Sequence, residues 1–498
     1  MCAKLKEWLR ALDAKLDVDV RDAWLVAALV AVSFGVRALF VNPGFFHHDS
    51  ILLIRAVEQS LDQGGLAPLL DGRYSYVAFS IPFALVFRAL DWPMDLAFNL
   101  LTAGVASLSV ILQFLLVRDI TRSRFAGASA ALLLSFMPVY WSVTTHTLVH
   151  AFSVTLVLFA FTGLLRANAS GSRAVAAAAA TALALAISAR VPNLLLLPAF
   201  ACLWLEPRLR DGRLRFDRER LARQAPFVVA PLVIGLAAMG WAQGDLILAK
   251  ARYDAFLGPL SPVFVRALRS LDANLSIVAW VLVAAGAGLS IVGERRAVAA
   301  ALFLWGVPVL FFYGNVASFA PRFYCLLFPV LALFMALALQ RIQRWSRLSA
   351  LALLAWLVFD MAAVAHSIVR DRHRFSGGKE YALWLDGRIE PDALVVAMDY
   401  GVFVEYYAGR RVASHPQGPA HAILSWAAGL LDEIDAGTPV YMMESGFGYD
   451  PDEIVHRTVM SQFEVTTVGS HLTEDYHKAS LKRRVHRNQL FRLARKAS

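Results

Sequence analysis

The chain has 498 residues, 58% of them hydrophobic and only 17% charged, with a formal net charge of +10. That apolar excess excludes an ordinary soluble protein and implies an all-α polytopic membrane protein. The basic residues fall in short clusters between apolar stretches, as topology signals do, so the positive charge implies no nucleic-acid partner.

Residues 1–22 form a mixed-charge leader, expected on the cytoplasmic side of a cell (inner or plasma) membrane. The run that follows has no small-residue cleavage pattern after it, so it reads as a retained span. Eleven segments meet or nearly meet the roughly 20 apolar residues that a crossing helix needs: about 23–41, 95–117, 125–143, 148–166, 174–190, 191–206, 225–243, 275–293, 297–314, 323–340 and 348–366. The fifth and sixth are separated only by the corner from Arg190 to Pro192, where proline bars helical continuation. Residues 76–92 are apolar but carry Pro82, Arg88 and Asp91, and they read as interfacial. With that choice Arg118, Arg122 and Arg124, Arg166 and Arg173, the arginines from Arg208 to Arg223, Arg295 and Arg296, and Arg341, Arg344 and Arg347 all share the leader's side. Residues 23–366 are thus a transmembrane domain with a long first outer loop, 42–94, and another outer segment, 244–274. Residues 367–498 are richer in charge, and strand-like runs (ALVVAMDY, PVYMM, FEVTTVG) alternate with a helical one closing on Gly437, which predicts a small extracytoplasmic α/β domain. The basic tail LKRRVHRNQLFRLARKAS is expected to lie on anionic headgroups. Cys2, Cys202 and Cys325 are too scattered for a disulfide framework.

The outer loop brings ionisable groups to the membrane boundary, in NPGFFHHDSILLIRA. Ser50 to Gln63 reads as a surface helix with Leu53, Val57 and Leu61 on one face. Asp49, at its amino end, suits two compatible roles: a helix cap, and a general base for an acceptor hydroxyl. His47 and His48 could join Asp49 around a divalent cation, and solvated interfacial histidines are the competing account. His146 and His150 mark a second corner on the same side. Arg190 and Arg322 sit at outer helix ends, where long basic side chains snorkel. Converging from distant segments, with Lys250 and Arg252 nearby, they would also make a phosphate clamp. Asp360, alone inside the last span at a cost of about 2.5 to 3.5 kcal/mol, calls for a partner. Asn274-Leu-Ser276 fits the glycosylation pattern.

In layout, residues 23–366 resemble the polyprenyl-phosphate-dependent membrane glycosyltransferases of the GT-C type, which include lipid A aminoarabinose transferases and protein O-mannosyltransferases. The likeness is carried by the acidic residue a few positions after the first span, in NPGFFHHDSILLIRAVEQSLDQGG, by ARVPNLLLLP, and by APRFYCLLFPVLAL. The resemblance implies transfer of a hexosyl or pentosyl group from a polyprenyl-phosphate donor to a hydroxyl of a lipid, glycan or protein acceptor on the outer face, with inversion. It casts Asp49 as catalytic base and Arg190 and Arg322 as contacts of the donor phosphate; Lys250 and Arg252 are available in support, and His146 and His150 mark an acceptor or second-loop site. Membrane lipids are the surrounding partners, and a divalent cation is the one cofactor left open. The chain departs from the family in two places. DGRYSYVAFSIPFAL has only Pro82 where the family carries a PP or KP element, and His150 stands where a second acid is expected. A lipid or sugar transporter, and a non-catalytic glycan-assembly subunit, remain as alternatives.

Overall fold

The computed structural model describes residues 20–66, 73–206, 208–210, 213–254, 260–272, 274–292, 296–315, 321–398, 400–416, 419–447, 450, 452–476 and 483–496. Helices dominate. In chain order they are α1 Val20–Ala38, α2 His48–Gln63, α3 Tyr74–Ala89, α4 Met94–Thr121, α5 Arg124–Phe136, α6 Pro138–Val143, α7 Val149–Ser170 and α8 Arg173–Ala189. Then come α9 Leu197–Leu205, α10 Arg218–Asp254, α11 Leu260–Asp272, α12 Ile277–Val292, α13 Arg296–Asn315, α14 Phe328–Trp345 and α15 Arg347–Arg374. Among the described residues five helices are long and apolar enough to cross a membrane, and six apolar helices are shorter.

The expected spans differ from these helices where local chemistry intervenes. The run 125–143 breaks because Pro138 can open a helix but not continue one, so α5 ends at Phe136 and α6 starts afresh. The segment opening at 191 begins as a 3-10 turn, Val191–Leu196, around Pro192, and α14 likewise follows a 3-10 turn, Pro321–Leu326. Within the expected outer segment 244–274, α10 runs on to Asp254 and α11 covers Leu260–Asp272. Asn274 is 3% exposed and its side-chain oxygen accepts from the Val139 N–H at 2.9 Å, so in this fold it is no glycosylation acceptor. No side chain among the described residues pairs with Asp360, which is half-buried.

α1 carries a fully buried arginine. Arg37 donates from Nε to Thr144 Oγ1 (2.8 Å), from Nη1 to the Ser33 carbonyl and hydroxyl (3.0 and 2.8 Å) and Ser135 Oγ (3.1 Å), and from Nη2 to the Ser135 carbonyl (3.0 Å). Neutral oxygens thus carry the solvation that burial removes. At the other end of α1, Arg118 of α4 pairs with Asp22 at 2.7 Å and Asp119 at 2.9 Å, while Arg166 of α7 reaches Asp119 at 2.9 Å. Close helix contact depends on small residues. A Cβ on Gly286 of α12 would stand 1.8 Å from the Phe334 carbonyl oxygen of α14. Gly286→Val is therefore expected to force the two helices apart and cost about 1–3 kcal/mol or more, read as a lowered unfolding temperature in detergent.

The remaining elements are α16 Gly377–Asp386, α17 Gly401–Tyr407, α18 Ala420–Asp435 and α19 Ile454–Gln462, together with strands β1 Arg208–Arg210, β2 Arg213–Arg215, β3 Leu394–Val396, β4 Arg411–Ala413, β5 Val440–Met443, β6 Phe463–Tyr476 and β7 Arg483–Arg495. β1 and β2 form a small hairpin, and the others a sheet in the order β4-β3-β5-β7-β6. β4, β3 and β5 run parallel, while β7 is antiparallel to both its neighbours. Side chains alternate between faces. Leu394, Val396, Val440, Met442 and Leu493 pack with α18 and α19 residues. Val395, Tyr441, Met443 and Leu490 join α16, α17 and the helices of the first loop in one core. The basic tail supplies β7, an inner strand, because Leu490, Phe491 and Leu493 serve the two cores while Arg487, Arg492 and Arg495 stay exposed.

Candidate active site

The loop before Asp49 is held by a buried polar knot. Asn99, 0% exposed on α4, donates from Nδ2 to the carbonyls of Asn42 and Gly44, both at 3.0 Å, and its Oδ1 accepts from the Thr147 N–H (2.6 Å) and hydroxyl (2.7 Å). Asn42 in turn donates to the carbonyls of Arg372 (2.6 Å) and Phe375 (3.1 Å). The Ser376 hydroxyl donates to the Phe45 carbonyl at 2.9 Å, and Lys379 bridges Pro43 O at 3.1 Å and Asp95 Oδ2 at 2.7 Å. Chain and chain approach so closely at Gly44 that a Cβ there would meet Lys379 Cδ at 2.7 Å. Ser50 adds a hydrogen bond to the Thr147 carbonyl.

α2 starts one residue before Asp49, and its cap is His47, whose Nδ1 accepts from the Asp49 N–H at 3.1 Å. The capping role expected of Asp49 is thus taken by its neighbour, since an imidazole lone pair serves as well as a carboxylate oxygen. Asp49 sits inside the first turn, where the helix dipole favours an anion, with both oxygens outside the cap. His48 Nε2 lies 3.1 Å from Oδ1, and Arg73 Nη2 3.5 Å from Oδ2. Burial would raise the Asp49 pKa, but the His48 hydrogen bond and the charge of Arg73 prevail and hold it well below the usual carboxylate range. α2 closes on Gly64 at φ +67°, a conformation that suits glycine. Its apolar face, expected on the membrane surface, is instead covered by protein: Ile51, Ile54 and Val57 pack in the core shared with Phe403 and Val404 of α17, and Arg55 pairs with Glu405.

Two arginines from remote segments meet beside this carboxylate. Arg190, at the end of α8, lies 2.7 Å from His150 Nδ1 through Nη1 and faces the stacked rings of Tyr313 and Phe323 at 5.9 and 5.8 Å. Arg322 lies 5.2 Å from the Phe323 ring. Burial lowers its pKa, the charge of Asp49 opposes that, and Arg190 and Arg73 add to the lowering, so all four charges share one neighbourhood. Arg322 Nε is buried without a hydrogen-bond partner among the described residues. His146 is 3% exposed and lies beside Phe46, tilted, at 5.3 Å between ring centroids, within the field of Arg372 and Arg322. The side chains of Lys250 and Arg252 lie outside the described residues. Arg73 was not singled out by sequence reasoning. Its signal is the basic residue just before an apolar helix on the same outer loop, in DGRYSY.

His47, His48 and Asp49 present ligand atoms within 4.8 Å of one another. The donor chemistry fits a dication poorly. His47 spends the Nδ1 lone pair on the cap, so its neutral ring carries the proton on Nε2 and offers no second pair. Asp49 already faces Arg73, and Arg322 adds positive charge at His47.

No family model matches the chain, and no curated protein matches it. Solved structures do. ArnT from Cupriavidus metallidurans, bound to undecaprenyl phosphate, superposes with a TM-score of 0.62 at 12% identity, covering 94% of this chain and 98% of its own. The oligosaccharyltransferase AglB from Archaeoglobus fulgidus, in complex with an inhibitory peptide and a dolichol-phosphate, gives 0.60 at 12% identity over 85% of this chain and 70% of its own. The arabinofuranosyltransferase AftD from Mycobacteria gives 0.52 at 15% identity, over 97% and 40%. The fold expected from the family resemblance is the fold these proteins share with the chain.

Proposed function

We propose that the chain is an integral-membrane glycosyltransferase that moves a sugar from a polyprenyl-phosphate carrier to an acceptor hydroxyl on a lipid, glycan or protein. The observation that carries this reading is one ionised carboxylate, Asp49, in the same neighbourhood as the guanidinium groups of Arg73, Arg190 and Arg322. The acceptor oxygen bonds to the anomeric carbon as the bond from that carbon to the lipid phosphate oxygen breaks, inverting the centre. The acceptor proton passes to Asp49, and the charge left on the phosphate is taken up by Arg190 and Arg322. A carboxylate held so low is a weak base while Arg73 faces it. Donor phosphate competing for Arg73 relieves that hold, so base strength rises once the donor is seated.

ArnT and AglB, captured with undecaprenyl phosphate and a dolichol-phosphate, support the donor class. In this reading the site faces the outer leaflet, with the amino terminus and the Asp22–Arg118 ionic cluster in the cytoplasm and the sheet domain outside. The test is a transfer assay on membranes supplied with radiolabelled lipid-phosphate sugars. Incorporation into an acceptor supports the proposal. Its absence across donors favours the transporter or assembly subunit. Separately, a cysteine at exposed Asp432 of α18 is expected to react with an impermeant maleimide in intact cells, and protection there would put the sheet domain in the cytosol.

A further inference from the structure

We infer that His150 belongs to the donor-phosphate site, as a neutral imidazole whose Nε2–H is a fixed hydrogen-bond donor set by Arg190, and not to the acceptor side. The inference rests on the function proposed above. It begins with an asymmetric contact, Arg190 Nη1 to His150 Nδ1 at 2.7 Å. A guanidinium has five N–H donors and no acceptor, and it stays charged in proteins. The ring nitrogen facing it must therefore offer a lone pair. A neutral imidazole that accepts at Nδ1 carries its proton on Nε2. Among the described residues nothing accepts that proton.

The surroundings say what would. His150 is 4% exposed in the first turn of α7, with Phe323 at 6.2 Å between ring centroids. Arg190 faces the same Phe323 ring. The charged groups that reach His150 are Arg190, Arg322, Arg73 and Asp49. A ligand entering here meets a guanidinium with spare donors and one imidazole N–H, both beside the Phe323 ring. The chemistry that answers such a pair is a compact anion with several acceptor oxygens, the phosphate of the lipid-linked sugar and of the lipid phosphate it leaves behind. A carboxylate at position 150 would pair with Arg190 directly and take its donors away from the ligand. The histidine found where the resemblance leads one to expect an acid thus converts an acidic position into an anion-binding one, and leaves Asp49 as the lone carboxylate for the acceptor.

The test uses the full chain in lipid nanodiscs with undecaprenyl phosphate as the probe, read as a binding constant by native mass spectrometry. His150→Gln keeps an acceptor toward Arg190 and an N–H beyond it, and should bind within about threefold of the wild type. His150→Glu should weaken binding by about tenfold or more, as one charge-assisted donor is lost and a like charge is added. Should the glutamate variant fail to fold, His150→Phe keeps the ring and lacks the donor, with the same tenfold loss expected. Nitrogen-15 spectra of histidine-labelled wild type should show the Nε2–H tautomer at this residue. Glutamate or phenylalanine binding as tightly as histidine, or a ring protonated at Nδ1, overturns the assignment. A wild-type protein that binds no lipid phosphate overturns the donor reading and this assignment together, whereas a binding wild type with an indifferent glutamate variant overturns this assignment alone.

Discussion

Replacing Asp49 by asparagine is expected to lower sugar transfer by roughly 10² to 10⁴, the range a positioned carboxylate contributes as general base, while the protein stays folded. The two side chains have nearly the same shape. The cap of α2 is made by His47 and the loop is fixed by Asn42 and Asn99, so nothing structural depends on a second carboxylate oxygen except the contact with Arg73. Initial rates of label transfer, set beside the thermal unfolding of the same preparation, separate chemistry from folding. Full activity in the variant removes Asp49 from the mechanism. The acid limb of stability carries a second check. The folded Asp49 pKa is depressed, so the stability it contributes is fully present above the unfolded value near 3.9 and is lost only as the pH falls through the lower folded value. Any loss of stability between about pH 5 and 7 therefore belongs to another group, histidine being the type that titrates there, and should persist unchanged in Asp49→Asn.

The second large effect is expected at Asn99, which never approaches the substrate. Asn99→Leu keeps the volume and removes the four bonds that Asn99 makes, leaving the carbonyls of Asn42 and Gly44 and the Thr147 N–H and hydroxyl without that partner. Each buried polar group left unpaired costs about 1–3 kcal/mol, so destabilisation of at least ~3 kcal/mol is expected. The unfolding temperature should drop, and transfer by the surviving folded protein should drop with it, because the chain that carries His47 to Asp49 loses its register. Unchanged stability would mean that water replaces the amide.

Much of the helical layer was legible because apolar length and the 3.6-residue period are local properties. Ser50 to Gln63 read correctly as a helix, although what covers it did not, since a buried face toward lipid headgroups and one toward α17 have the same pattern. Three strands of the sheet were visible in their β-branched runs. β7 was not, because its arginines dominate its composition, whereas only Leu490, Phe491 and Leu493 reveal the alternation. At the site, Asp49, Arg190 and Arg322 were found from position relative to apolar segments. Arg73, and the exchange of capping duty to His47, depend on contacts between residues that no spacing rule joins. The knot of Asn42, Asn99 and Thr147 is invisible for the same reason: asparagines inside or beside apolar runs look alike until partners 48 and 330 residues away are known.

The bond from Asn42 to the carbonyl of Arg372 spans 330 positions of sequence. During synthesis the segment bearing Asp49 emerges from the ribosome long before α15 does, and it must wait for that late helix to be threaded before its geometry is complete. A nascent chain arrested short of residue 372 would hold every charged group argued to do chemistry except the backbone that aligns them, and so should occupy the membrane without acting on the lipids around it.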